Sequence, residues 1–161
     1  MKALRIAIAL LLAMGATTAL SASDAQKSFA KLKSLAGTWE GKAPDGKTVE
    51  VSYHVISGGS AVMSQMTENS MVTMYHLDGD RLVMTHYCGA GNQPRMIGKL
   101  SGDGNTLDFN FLDATNLASP KAGHMHHATL IFADADHYAE RWTFTQDGKD
   151  TTEQFSLQRK Q

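Results

Sequence analysis

Lys47-Thr48-Val49-Glu50-Val51-Ser52-Tyr53-His54-Val55-Ile56 is the stretch that decides the fold. Apolar residues stand at 49, 51, 53 and 55, with Glu50, Ser52 and His54 between them. A period of two puts the first set on one face of a strand and the second on the other, so one face is buried and the other meets water. The run is bounded by Pro44-Asp45-Gly46 and Gly58-Gly59. These residue types preset or tolerate the backbone angles of tight turns.

The pattern repeats outward in both directions. Thr38 to Lys42 is a strand before the first turn. Ser60 to Glu68, Met71 to Leu77, Arg81 to Cys88, Arg95 to Leu100, Thr106 to Leu112, His124 to Ala133, His137 to Thr145 and Thr151 to Gln158 follow it. Asn69-Ser70, Asp78-Gly79-Asp80, the GAGNQP loop, Ser101-Gly102-Asp103-Gly104 and Asp147-Gly148 separate them, and the longest break is Asp113 to Gly123. Short alternating runs cut by such turns predict hairpin after hairpin, each strand pairing with its neighbour. Left open, so many strands expose long edges; closure removes them. The expected fold is all-β, a closed antiparallel up-and-down barrel of about eight to ten strands, with a two-sheet sandwich as the alternative. Ahead of the strands, Phe29, Leu32 and Leu35 recur at helical spacing, which predicts a short amphipathic helix over Ala25 to Leu35, stopped by Gly37.

Residues 1–25 read as a signal peptide. Lys2 and Arg5 form a positive start, Ile6 to Leu12 an apolar run, and small residues lead to Ala19-Leu20-Ser21 or Ser23-Asp24-Ala25 as cleavage sites. The apolar run is diluted by Ala, Gly and Thr after Leu12 and falls short of the roughly 20 residues that span a bilayer. The expectation is a periplasmic or secreted protein without stable membrane insertion, its single domain covering 26–161. The one cysteine, Cys88, allows no internal disulfide. Once Lys2 and Arg5 are removed the acidic residues slightly outnumber the basic ones, and neither sign clusters. That argues against nucleic acid as a partner.

Leu35-Ala36-Gly37-Thr38-Trp39-Glu40-Gly41, a Gly-x-Trp at the start of the first strand after a short helix, resembles the lipocalin and calycin superfamily. The C-terminal third, from Asp134 to Lys160, is similar to the ending of a lipocalin-like family of secreted bacterial proteins without known function. The resemblance implies a barrel whose tryptophan closes one end.

Several side chains are candidates for chemistry. His124 and His126 fall on one side of a strand, in phase with Ala128, Leu130 and Phe132, and so are expected to point inward. Together with His86 and Cys88, in phase with Leu82 and Met84, they offer a soft donor set for a transition metal. The plainer reading puts the histidines at a solvated barrel mouth and Cys88 in the core as a small apolar residue. Haem held by a histidine or methionine is a further alternative, without a Cys-x-x-Cys-His attachment motif. Methionines at 63, 66, 71, 74, 84, 96 and 125 suit either a core or an adaptable cavity. Glu140 shares its phase with Tyr138, Trp142 and Phe144, so an inward carboxylate needs a partner: a histidine for acid–base work, or Arg95 or Arg141 in an ion pair.

No Gly-x-Ser-x-Gly elbow, phosphate loop, His-Glu-x-x-His or dinucleotide fingerprint is present. The expected function is a non-enzymatic binder of a small, partly apolar molecule, lined by Met84, His86, Phe109, Phe111, His126, Glu140 and Trp142. Metal or haem binding through His124, His126, His86 and Cys88 is the alternative.

Overall fold

The alternating runs become ten strands in the computed structural model, which describes residues 22–43, 46–66 and 71–161. They are β1 (Gly37–Lys42), β2 (Thr48–Ile56), β3 (Ala61–Met66), β4 (Met71–Asp78), β5 (Arg81–Tyr87), β6 (Gln93–Leu100), β7 (Thr106–Thr115), β8 (His124–Phe132), β9 (His137–Gln146) and β10 (Lys149–Arg159). Each pairs antiparallel with the next, and β10 returns to β1 to close the barrel. The closing pair runs from Trp39 opposite Arg159 to Lys42 opposite Ser156. This continuous ladder rules out the sandwich. The leader up to Ser21 and the turns at 44–45 and 69–70 lie outside the described residues, as does the end of the predicted third strand at 67–68.

Inward positions form the core. Val49, Val51 and Tyr53 of β2, Val62 of β3, Tyr75 of β4, Leu82 and Met84 of β5, and Leu107 and Phe109 of β7 are all almost inaccessible to solvent. Packing is tight enough to fix residue size. Gly98 faces Phe109 across the β6–β7 ladder, and a Cβ there would lie 2.5 Å from the ring.

The helix α1 (Asp24–Lys33) packs against β4, β5 and β6. Ser23 caps it: its hydroxyl accepts from the Gln26 N–H, and the Gln26 side chain accepts from the Ser23 N–H, a capping box. Phe29 and Leu32 are its buried face. The helix ends earlier than the periodicity predicts, at Lys33 with Ser34 as the cap. Leu35 belongs to the connection. Gly37 is needed instead at the entry to β1, where its φ of 122° lies outside the range of other residues.

Trp39 then seals this end of the barrel. Its ring is buried, its Nε1 donates to the Leu35 carbonyl at 2.7 Å, and Tyr138 meets it edge-on at 4.7 Å. The Arg159 guanidinium covers the ring at 4.1 Å. The same guanidinium donates to the carbonyls of Ala36 and Ser34. One side chain at the end of β10 thereby ties the last strand to the helix connection and to β1.

Candidate functional site

Beyond the sealed end and its packed middle, the barrel holds a cavity of about 610 Å³. Its apolar wall comes from Val51, Met66, Met71, Met125, Trp142, Phe144 and Phe155, and its polar groups are Ser64, Thr73, His86, Glu140, Gln146, Asp147, Lys149, Thr151 and Glu153. Asp147, Lys149, Thr151 and Glu153 are exposed, whereas His86 and Glu140 are buried.

Glu140 is 2% exposed, and it owes its inward position to the period-two phase of β9. Its Oε1 accepts from the Tyr53 and Tyr138 hydroxyls, both at 2.7 Å, and its Oε2 from Trp142 Nε1 at 2.8 Å. Three neutral donors thus satisfy the carboxylate. Neither candidate arginine reaches it: Arg95 pairs with Asp113 and Arg141 with Gln154, both on the outer surface. Burial, and then the charge of Glu140, hold the Tyr53 and Tyr138 hydroxyls well above the usual tyrosine range.

His86 is 4% exposed. Its Nδ1 shares a hydrogen bond with Thr73 Oγ1 at 2.9 Å, across the β4–β5 ladder. Its ring lies 4.9 Å from that of Trp142. Its Nε2 is buried with no protein hydrogen-bond partner, and burial lowers its pKa from 6.5 to about 4. The ring is therefore neutral at physiological pH. Trp142 links the two buried polar groups, since it donates to one and packs on the other.

The seven residues expected to line the ligand site divide three ways. His86, Glu140 and Trp142 line the cavity. Met84 and Phe109 are fully buried in the packed core below it. Phe111 and His126 lie in a second recess, under the long connection before β8, with His124, Leu117, Pro120 and Lys121.

A register shift causes the departure of His126. In β8, Met125 opposes Phe144 and His127 opposes Thr143, so His126 is an extra residue in a bulge. A bulge reverses the alternation beyond it. Met125 takes the inner face that parity assigns to His126, and His124 and His126 leave the barrel interior. They do stay together, with His126 Nδ1 3.4 Å from His124 Nε2 and the Phe111 ring 5.0 Å from that of His126. The His124 Nδ1 donates to the Ala122 carbonyl at 2.8 Å. Pairing between β7 and β8 ends at Asn110 and His127, and Phe111, the next residue of β7, packs its ring against those of His124 and His126.

The expected metal donor set therefore does not assemble. His86 lines the main cavity, His124 and His126 line the other recess, and Cys88 lies just past the end of β5. Among the described residues, no three His, Cys, Asp or Glu side chains are grouped to hold an ion.

The cavity residues outside the expected lining follow from the same geometry, three of them from the methionines that suited a core or a cavity alike. Phe144 shares the phase of Glu140 and Trp142, so its signal was present in the sequence. Met125 was hidden by the bulge. Met66 and Met71 are placed by their direct pairing across the β3–β4 ladder, which no spacing in the chain reveals. Thr73 enters through its bond to His86.

No protein-family model matches the chain, and no curated protein matches it. Solved structures do resemble it. A protein of unknown function from the DUF3598 family of Nostoc punctiforme PCC 73102 superposes with a TM-score of 0.55 at 11% identity, over 80% of this chain and 49% of that one. This chain thus spans about half the length of that neighbour. Rv2717c from M. tuberculosis superposes with a TM-score of 0.52 at 16% identity, over 83% of this chain and 98% of that one. At such identities the likeness is one of fold: the described residues form a ten-stranded antiparallel barrel with one short α-helix, similar in architecture to these two proteins.

Proposed function

We propose that this protein is a non-enzymatic binder that holds one small, partly apolar molecule in the open half of its barrel, and that it works in the periplasm or outside the cell. The observation that carries this reading is the cavity: about 610 Å³, walled by aromatic and methionine side chains, with few buried polar groups. Ligand sites in proteins have this size and this balance of lining. The Gly37-x-Trp39 resemblance to lipocalins supports it, since barrels of this kind enclose a ligand at one end. Export rests on the leader sequence. Cleavage after Ser21 leaves the Ser23 cap of α1 intact, whereas cleavage after Ala25 removes it.

Acid–base catalysis is the weaker reading. It needs Glu140 within hydrogen-bond reach of a histidine, and the partners of Glu140 are Tyr53, Tyr138 and Trp142, with no histidine among them.

The test is a titration with an environment-sensitive naphthalene dye, read by dye emission and by quenching of tryptophan, since Trp142 is in the wall. We expect saturable binding at one site per chain, weakened at least tenfold by Thr151→Trp, which fills the mouth. Equal binding by this variant overturns the reading. Haemin is the competing probe: a bound Soret band lost in His86→Ala would replace this reading with haem binding.

A further inference from the structure

We propose that the cavity selects a cationic amine on an aromatic or otherwise apolar body, with the ammonium drawn to Glu140 and the apolar body against Trp142 and Phe144. This rests on the reading of the cavity as a ligand site and names the class of ligand.

Charge is the first observation. Four lining side chains are charged: Glu140, Asp147 and Glu153 against Lys149. The balance is negative, and the acidic group deepest in the wall is Glu140. Buried charges in proteins are ordinarily paired. Glu140 has neutral donors, and among the described residues no cation joins them. Its two oxygens are unequally used: Oε1 takes two donors and Oε2 one, so Oε2 keeps a lone pair for another. An anionic ligand meets like charge here, and a neutral one leaves the charge uncompensated.

The second observation is independent of charge. His86 lines the same cavity, is 4% exposed, and has its Nε2 unpartnered. Its ring is neutral, so it does not oppose a cation, and in the tautomer whose Nδ1–H donates to Thr73 Oγ1 the bare Nε2 accepts a hydrogen bond. An amine carries several donors and no competing negative charge. The rings of Trp142, Phe144 and Phe155 add faces that favour a cation over a neutral group.

An isosteric triplet tests the proposal on the full-length exported chain: 2-naphthylmethylamine, 2-naphthalenemethanol and 2-naphthoate, titrated by calorimetry at neutral pH. The expected result is that the amine binds about tenfold or more tighter than the alcohol, and that the naphthoate binds weakest. Glu140→Gln removes the preference for the amine and leaves the alcohol's affinity in place. His86→Leu weakens amine and alcohol alike, because both present a donor. Where Glu140→Gln fails to fold, the exposed pair Asp147→Asn with Glu153→Gln serves: the amine loses about two- to threefold, in the range of screened surface charges, and the alcohol loses nothing. An alcohol or naphthoate that binds as tightly as the amine overturns the proposal, as do equal losses for amine and alcohol in the acidic variants. If none of the three binds while the naphthalene dye does, amine selection fails and the binding cavity stands. If the dye also fails to bind, both are overturned.

Discussion

His86 and Glu140 show how one buried polar residue can be costly and another satisfied. Glu140 has three donors and is held as an acceptor. His86 has one hydrogen bond and one bare nitrogen, so its charged form is strongly disfavoured. Its pKa in the folded protein, about 4, lies below the 6.5 of an unfolded histidine. Above pH 6.5 both states are neutral and stability is full. As pH falls from 6.5 towards 4 the unfolded chain takes up the proton first, and stability drops by about 3 kcal/mol. Denaturant unfolding across this window should show that loss, and His86→Leu should flatten the pH 6.5 to 4.5 portion. An unchanged slope in the variant would mean that other groups carry the pH dependence. The exposed carboxylates Asp103, Asp113 and Asp134, lowered chiefly by hydrogen bonds from Ser101, Arg95 and the Asp136 N–H, act at more acidic pH.

At the scale of elements, α1 is a short helix whose stability comes from its ends and its docked face. Ten residues are too few for an isolated helix in water. The Ser23–Gln26 box satisfies two backbone donors that the helix itself leaves open. Ser23→Ala should cost about 1 kcal/mol, visible as a lower urea midpoint with an unchanged slope. Ser23→Asp, which also caps, should recover most of it. A wild-type midpoint in Ser23→Ala would show that docking alone fixes the helix start. The β8 bulge is the other element with consequence: one extra residue sends a histidine pair out of the barrel and a methionine in.

For the whole molecule, the decisive feature is that the two ends of the barrel differ. One end is closed by α1, Trp39, Tyr138 and Arg159, which join α1 and β1 to β10. The other end is left open and becomes the cavity. Trp39→Ala removes a fully buried ring, its hydrogen bond to Leu35 and the platform for Arg159. We expect a loss of about 3 to 5 kcal/mol, measured by urea unfolding, with dye binding at the far end retained below the transition. A loss under about 1 kcal/mol would show that the end can close without the indole.

The sequence by itself determined the all-β class, about eight to ten strands whose ends, where described, fall within two or three residues of the observed ones, and the short leading helix; it favoured a closed barrel over a sandwich, and the closing ladder decided between them. Alternation and turn residues are local signals, and closure follows because so many strands leave edges that must be paired. The inward phase of His86, Glu140 and Trp142 was legible for the same reason: each lies on a strand whose alternation is unbroken. The tertiary structure alone decided what lies beside what. It set the bulge that reverses the face of His124 and His126, the packing of Phe111 against their rings, and the separation of those histidines from His86. It also decided that Tyr53, Tyr138 and Trp142, rather than an arginine or a histidine, meet Glu140. Parity reads one strand at a time, whereas a bulge is a property of a pair and a cavity a property of the closed sheet. Neither is written in the spacing of residues along one chain.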